Sequence, residues 1–315
     1  MPKVLIIDLM HESIIPLLTE AGFEVDYEPE ISVSAIPLKL HAYEGLIIRS
    51  KIKVDQQLIA AGHNLRFIAR AGAGLDTIDE DFLKARNISL LNAPEGNRTA
   101  VGEHALGLLL CLFNKINLAN QEVKNYTWRR EANRGYEIAG KTIGIIGYGH
   151  MGKSFAKCLS GFSCNVLAYD KYLTQYGDHY ASEASLDTIY KEADVLSLHI
   201  PLTSVSRNWL NTEIIHQFHK PIWLINTARG EIVPLKTVVE GLQSGKILGA
   251  GLDVLPNEQF HTYNAEEKED FNTLINANQV VLTPHVAGWT HESYVKINQV
   301  LVQKINSLYK HTQTI

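Results

Sequence analysis

Cysteine and methionine are both scarce in this chain, at three residues each among 315. Cys111, Cys158 and Cys164 form no CxxC pair and no repeated spacing, which argues against a disulfide scaffold and a thiolate metal cluster. They read as reduced thiols in or near a core, and so as a cytoplasmic chain. Long apolar runs are also lacking: none approaches the roughly 20 residues that a membrane helix needs. The opening Met1-Pro2-Lys3-Val4-Leu5-Ile6-Ile7-Asp8 is too short an apolar run for a secretory signal and has no small-residue cleavage site. Neither sign of charge is in large excess, and a formal net charge of −5 gives no reason to expect nucleic acid or an anionic membrane as a partner. No internal repeat, low-complexity tract or Gly-x-Ser-x-Gly elbow for a nucleophilic serine is present. His216 and His219 make an HxxH pair without a third ligand nearby, so no metal site is expected.

What is there has the balance of a globular protein, 45% apolar and 20% charged, and is long enough to bury two cores. Short apolar runs at Lys3 to Ile7, Phe23 to Tyr27, Gly45 to Arg49, Arg66 to Arg70 and Ile88 to Asn92 alternate with helix-length segments such as Glu12 to Ala21 and Asp55 to Ala61. That alternation predicts a parallel sheet covered on both faces. Pro94 marks a boundary. From Glu95 to about Asn120 one apolar stripe, Val101, Ala105, Leu108, Leu109, Leu112 and Phe113, predicts a single long helix leading into a second domain. Trp128 to Gly140 reads as an irregular excursion in which Arg129, Arg130 and Arg134 lie close together.

In the second half, Thr142-Ile143-Gly144-Ile145-Ile146 runs into Gly147-Tyr148-Gly149-His150-Met151-Gly152, and a helical pattern follows. The spacing suits a dinucleotide turn. Gly147 permits the tight bend, Gly149 lets the backbone approach a pyrophosphate, and Gly152 lets strand and helix pack closely. A second apolar run, Asn165 to Tyr169, ends in Asp170, 18 residues beyond Gly152, near the spacing for a carboxylate on the adenosine ribose. Later strands are expected at Val195 to His199, Trp223 to Asn226, Gly249 to Val254 and Val280 to Thr283. A last helix, capped by Thr290 and striped by Ile297, Val300, Leu301, Ile305 and Leu308, should return to the first domain. The fold predicted is therefore α/β, two Rossmann-like domains, with a nucleotide-binding domain at 95–284 inserted into a discontinuous flavodoxin-like substrate domain at 1–94 and 285–315. The cleft between them is the default ligand site.

Three polar residues sit just beyond strand-like runs, on the edge of an open α/β sheet that faces ligands. Arg229 follows Leu224 to Ala228, Glu258 follows Asp253 after Gly249 to Leu252, and His285 follows Val281 to Pro284. A guanidinium binds a carboxylate bidentately and polarises the neighbouring carbonyl. An imidazole exchanges the proton that accompanies a hydride, and a carboxylate against it fixes its tautomer. Read singly, each also fits a plain structural role: an ion pair, a surface charge, a loop histidine.

Together the segments Asn226-Thr227-Ala228-Arg229-Gly230, Leu252-Asp253-Val254-Leu255-Pro256-Asn257-Glu258 and Thr283-Pro284-His285-Val286-Ala287-Gly288-Trp289-Thr290 resemble the D-isomer-specific 2-hydroxyacid dehydrogenases. Asn92 to Asn97, Val101 to Leu106 and Ala193 to Thr203 resemble further signatures of that family, in its order, over roughly residues 45 to 295. The resemblance implies that His285 is the general acid/base, that Glu258 pairs with it, and that Arg229 binds the substrate carboxylate and carbonyl. It implies that Ala71, Gly72, Ala73 and Gly74 offer backbone amides to the substrate. It places Gly147, Gly149, His150, Met151, Gly152, Asp170, Ile200, Thr227, Ala228, Arg229, Asp253, His285 and Gly288 around an NAD cofactor, Asp170 favouring NAD over NADP. Lys171 beside Asp170 tempers that preference. A homodimer is implied on the same footing. The interval from Glu258 to His285 is long, with His261 to Asp270 as the insertion, and its acids are expected on the surface. One helix follows His285, so a short form without an appended sensing domain is expected.

Within the family, Gly147 to Gly152, Ile48-Arg49-Ser50-Lys51 and Ala71 to Asp76 resemble the members that oxidise 3-phosphoglycerate, an entry to serine synthesis, a resemblance that implies Arg49 and Lys51 as phosphate partners. Arg130 or Arg134 could add charge from a neighbouring subunit. The alternatives are reduction of glyoxylate or hydroxypyruvate, if those basic residues are ordinary surface charges, and an NAD-sensing corepressor, a binding role that some members of the family have.

Overall fold

The computed structural model describes residues 1–312. Two compact units divide the chain, Met1–Asn97 with Trp289–Ile315, and Arg98–Gly288. These limits fall a few residues beyond the boundaries drawn from the sequence. Gly96 shows why the first turn of the Pro94–Phe113 helix belongs to the first unit: a methyl there would stand 2.7 Å from the Ile297 Cα, so only glycine lets the two backbones meet.

The first unit is a five-stranded parallel sheet of β1 (Lys3–Ile6), β2 (Glu24–Tyr27), β3 (Gly45–Ile48), β4 (Phe67–Arg70) and β5 (Ser89–Asn92), in the order β2-β1-β3-β4-β5. This is the flavodoxin-like order, whose direction reverses between β1 and β3. Both faces are covered. Leu5, Leu46, Ile48 and Ile68 pack with Leu40, Leu58 and Leu83 on one side. On the other, Val4, Ile6, Ile47 and Phe67 meet Ile14, Leu18, Ile297, Leu301 and Ile305. The last three belong to the His291–Thr312 helix, which returns to the first unit as its stripe predicted. Its start is the expected one: Ser293 N donates to Thr290 Oγ1 at 3.0 Å, and Thr290 N to Ser293 Oγ at 2.9 Å.

The second unit holds seven parallel strands, β6 (Thr142–Ile146), β7 (Asn165–Tyr169), β8 (Ser182–Glu183), β9 (Val195–Leu198), β10 (Ile222–Asn226), β11 (Ile247–Leu252) and β12 (Val280–Leu282). They lie in the order β12-β11-β10-β9-β6-β7-β8, so the direction reverses between β6 and β9. The two-residue edge strand β8 was not visible in the sequence; a strand that short has no alternation to read.

The single helix expected from Glu95 to about Asn120 is two helices, Pro94–Phe113 and Ile116–Lys124. Lys115 takes a left-handed φ of 50° between them, its N–H closing onto the Leu112 carbonyl at 3.2 Å. Apolar periodicity is blind to such a break, because the stripe resumes one turn later. The acids from Glu266 to Asp270 are on the Ala265–Ile275 helix, where Asn264 and Glu267 form a capping box. Among the described residues no helix is long and apolar enough to cross a membrane.

Candidate active site

The glycine turn lies directly beyond β6, at the point where the second sheet reverses. Gly147 has φ +94°, and a methyl on it would stand 2.7 Å from the His199 carbonyl oxygen at the end of β9. Gly152 closes the other side, its Cα so near the Gly147 carbonyl that a methyl would stand 2.1 Å from that oxygen. Gly149 faces open space, with nothing within 4 Å of a methyl built on it. Two glycines are thus required by the turn's own packing. The third leaves backbone bare at the N-terminus of the ten-residue His150–Leu159 helix, whose dipole favours a phosphate. Tyr148, between the glycines, is fully buried with its hydroxyl on Asp178 Oδ1 at 2.8 Å. Burial pushes that phenol well above its ordinary value, and the hydrogen bond to Asp178 adds to the shift.

Asp170 stands one residue past β7. Its Oδ2 accepts from the Tyr148 amide at 2.9 Å, and its Oδ1 from the amides of Tyr172 and Leu173 at 2.9 and 3.1 Å. Three amides fix the carboxylate beside the turn and leave it lone pairs for hydroxyl donors. Thr227, just after β10, carries a buried hydroxyl oxygen without a hydrogen-bond partner. An unsatisfied buried hydroxyl among these residues fits a bound polar group. His199, beside Ile200, is half-buried against Phe155 with its Nε2 on Ser197 Oγ at 2.8 Å. Burial pulls its pKa down to about 3.

Arg229, Glu258 and His285 follow β10, β11 and β12, three neighbouring strands of the second sheet. Asn226, missed in the sequence reading, frames the arginine. Its Oδ1 accepts from Ala228 N and its Nδ2 donates to the Arg229 carbonyl, both at 3.0 Å. Gly230 sits so close to the Leu255–Pro256 peptide that a methyl would stand 1.9 Å from the Leu255 carbonyl carbon. The Arg229 loop and the loop leading to Glu258 therefore touch through backbone. Glu258 reaches His285 Nδ1 with both oxygens, at 2.9 and 3.2 Å, and each side chain is 49% exposed. The hydrogen bond to His285 holds the Glu258 carboxyl below its ordinary value; partial burial opposes it and the Arg229 charge assists.

His285 has a left-handed backbone, φ 55°, which a β-carbon makes costly, and a dense network maintains it. Its amide donates to the carbonyls of Asp253 and Thr283 at 2.8 and 3.0 Å. The buried Asp253 carboxylate accepts from Thr283 Oγ1 at 2.6 Å, Val286 N at 2.9 Å and Ala287 N at 2.8 Å. His104 Nε2 adds a hydrogen bond to Thr283 Oγ1 at 3.0 Å. Asp253 was expected against the cofactor, yet its oxygens serve the loop on either side of His285. His104 and Thr283 were not singled out in the sequence, since nothing in their spacing links residues 179 apart.

In the first unit, Arg49 follows β3 and the Ala71–Gly74 loop follows β4. Ala71 N and Gly72 N donate to the carbonyls of Ile48 and Arg70 at 2.7 and 2.9 Å, and the Ala73 carbonyl accepts from Asn92 Nδ2 at 2.8 Å. Lys51 corrects an expectation. Its ammonium bonds to the Pro29 carbonyl and lies 3.5 Å from that of Ile31, so its charge serves the loop after β2 rather than standing with Arg49. In the irregular arm, Arg129 pairs with Glu122, and Arg134 with Glu131 at 2.6 Å. Among the described residues no group of His, Cys, Asp or Glu could hold a metal ion, His216 and His219 included.

Residues 106–287 match the family described as D-isomer specific 2-hydroxyacid dehydrogenase, NAD binding domain. A D-3-phosphoglycerate dehydrogenase of Archaeoglobus fulgidus is 32% identical over 310 residues, covering 98% of this chain and 57% of that protein. The chain therefore spans little more than half the length of that relative. A hydroxypyruvate reductase of Thermotoga maritima is 37% identical over 260 residues, covering 82% of this chain and 83% of that one. Among solved structures, the D-lactate dehydrogenase of Aquifex aeolicus complexed with NAD and lactic acid superposes with a TM-score of 0.83 at 26% identity, over 98% and 96% of the two chains. The chain belongs to the D-isomer specific 2-hydroxyacid dehydrogenases, with their NAD-binding domain in its second unit.

Proposed function

We propose that the protein oxidises a phosphorylated D-2-hydroxy acid, 3-phosphoglycerate, to its 2-keto acid with NAD, and catalyses the reverse reduction. The observation that carries the choice of a doubly anionic substrate is Arg49. Its guanidinium stands where the first sheet reverses, and among the described residues no carboxylate lies within ion-pair distance of it. The relatives named D-3-phosphoglycerate dehydrogenase support the same choice.

The chain's own residues divide the work. Glu258 accepts the Nδ1 proton of His285, which leaves Nε2 to take the proton of the substrate hydroxyl during oxidation and to return it during reduction. Arg229 binds the carboxylate and polarises the oxygen that changes between hydroxyl and carbonyl. The Ala73 and Gly74 amides and Arg49 bind the substrate's anionic groups, since the amides of Ala71 and Gly72 are spent on the Ile48 and Arg70 carbonyls. When bound, NAD supplies the hydride acceptor. Gly147, Gly149, His150, Met151 and Gly152 would hold its pyrophosphate, and Asp170 its adenosine ribose. Ile200, Thr227, Ala228 and Gly288 would line the rest. The fixed charge of Asp170 repels a 2′-phosphate, which supports NAD over NADP.

The relative named hydroxypyruvate reductase and the diversion of Lys51 favour a second reading, reduction of hydroxypyruvate. The experiment compares kcat/KM for phosphohydroxypyruvate, hydroxypyruvate and glyoxylate with NADH. The phosphorylated acid should be preferred by at least about tenfold, the yield of one good charge-assisted contact. Preference for either unphosphorylated acid overturns the assignment. A corepressor role predicts no turnover at all. We also place the enzyme in the cytoplasm as a homodimer; the three free thiols support the first and the family habit the second, which light scattering tests.

A further inference from the structure

Arg49 is held at its backbone and at its side chain by different means. Buried Asp8, just beyond β1, accepts from the Arg49 amide at 2.7 Å and from the Lys51 amide at 3.2 Å. Arg70 Nε donates to the Arg49 carbonyl at 3.3 Å. The guanidinium carbon lies 3.9 Å from the ring centroid of Trp289 and 4.8 Å from that of Tyr294. Those rings are 5.5 Å apart and inclined by 34°, so they form an angled seat beneath the cation rather than a sandwich around it. Tyr294 is itself anchored, its hydroxyl donating to the Leu9 carbonyl at 3.1 Å.

An arginine resting by its face on aromatic rings keeps its N–H edge for a planar, bidentate oxyanion. The seat also fixes the torsions of a long side chain before any ligand arrives, which removes an ordering cost from binding. Lys51 does not share the task, since its ammonium is turned to backbone carbonyls.

We propose that Trp289 and Tyr294 are positioning residues that present Arg49 to a second oxyanion on the substrate, phosphoryl or carboxylate, and so select against keto acids that carry only one. The proposal rests on the reading of Arg49 as a substrate contact.

The test is steady-state reduction with saturating NADH of phosphohydroxypyruvate, 2-oxoglutarate and hydroxypyruvate, which carry a phosphoryl group, a second carboxylate and neither. The enzymes are the full chain and its Arg49→Met, Trp289→Leu, Trp289→Phe and Tyr294→Leu variants. Arg49→Met should collapse the preference for the wild type's better dianionic substrate over hydroxypyruvate. Trp289→Leu should lower that ratio by about tenfold through KM rather than kcat, Tyr294→Leu should lower it less, and Trp289→Phe should recover part of the loss. A merely structural role moves all substrates alike. If Arg49→Met collapses the ratio and Trp289→Leu leaves it unchanged, the seat has no part in selectivity and the proposal alone falls. If Arg49→Met leaves the ratio unchanged, the reading of the substrate site falls and the proposal with it.

Discussion

Replacing Gly149 by alanine, and in a second protein Gly152, separates what the turn after β6 does for folding from what it does for the cofactor. At Gly149 the new methyl meets no atom within 4 Å, and the φ of −80° and ψ of −152° are within reach of an L residue. Alanine is a poorer N-cap than glycine, but it also has less entropy to lose on folding. The two effects nearly cancel, to within about 1 kcal/mol, or roughly 2–4 °C in Tm for a unit of this size. At Gly152 the methyl would stand 2.1 Å from the Gly147 carbonyl oxygen and 3.1 Å from Ile145 Cγ2. An ordinary C···O contact is wider by about 1 Å, so strand and helix must part, at roughly 1–3 kcal/mol and several degrees of Tm. The cofactor should report the opposite order. The Gly149 methyl fills the space through which backbone approaches the pyrophosphate, and NADH affinity should fall at least about tenfold, or 1.4 kcal/mol. Thermal unfolding without NADH and fluorescence titration with NADH measure the two quantities. A Gly149→Ala protein that binds NADH like the wild type would refute placing the pyrophosphate at this turn.

Gly230→Ala sets a methyl 1.9 Å from the Leu255 carbonyl carbon and 2.4 Å from Pro256 N, and no side-chain rotation relieves a backbone clash. It should lower Tm and, by shifting the Glu258 loop by about 1 Å, reduce kcat about 10²-fold; wild-type kcat would show that the two loops are not in register through this contact. Glu258→Gln should cut kcat by about 10- to 100-fold while the Kd for NADH stays within about twofold, because only the proton-handling pair is altered; equal losses in both would contradict the assignment. The same variant carries a pH signature. The Glu258 carboxyl is depressed in the folded state, so its contribution to stability is present above the ordinary carboxylate value and disappears as pH falls through the lowered one. Wild type and Glu258→Gln should therefore converge in denaturant midpoint below about pH 4.5. His199, held near 3 by burial, stays neutral in the folded protein while the unfolded chain protonates below about 6.5. Stability should therefore fall by about 1.4 kcal/mol per pH unit on this account as pH drops below 6.5, and His199→Asn should show a shallower slope between pH 6.5 and 5.

Most strands were legible because they are short apolar runs bounded by turn residues, and eleven of the twelve among the described residues fall within a residue or two of the runs that predict them. The placement of Arg229, Glu258 and His285 was legible for a related reason: each follows the end of its strand, so chain position alone approximates its place on the sheet edge. What escaped is what distance along the chain conceals. Nothing in the sequence says that Trp289 and Tyr294 lie under Arg49, or that His104 reaches Thr283. The break at Lys115 escaped because a left-handed residue leaves the apolar stripe intact on both sides. Lys51 misled because a basic residue after a strand looks the same whether its ammonium faces a ligand or a carbonyl.

The polar groups of the second unit divide by exposure, and the division matches the roles proposed for them. Asp253 is buried and takes three hydrogen bonds from Thr283 and two loop amides. In low dielectric such a carboxylate is stable only while its donors remain, which makes it a rigid anchor for the left-handed backbone of His285. Glu258 and His285 are half exposed, where a proton can come and go without stranding a charge in the core. Exchanging those environments would fail on both counts: a buried acid–base pair resists changes of charge, and an exposed anchor competes with water for its donors. Asp253→Asn tests the division. An amide cannot accept from both loop N–H groups with both its atoms, so one donor is left facing an NH2. The loop should loosen and kcat should fall while NADH binding is retained. Loss of NADH affinity with kcat intact would return Asp253 to the cofactor-lining role that its sequence position first suggested.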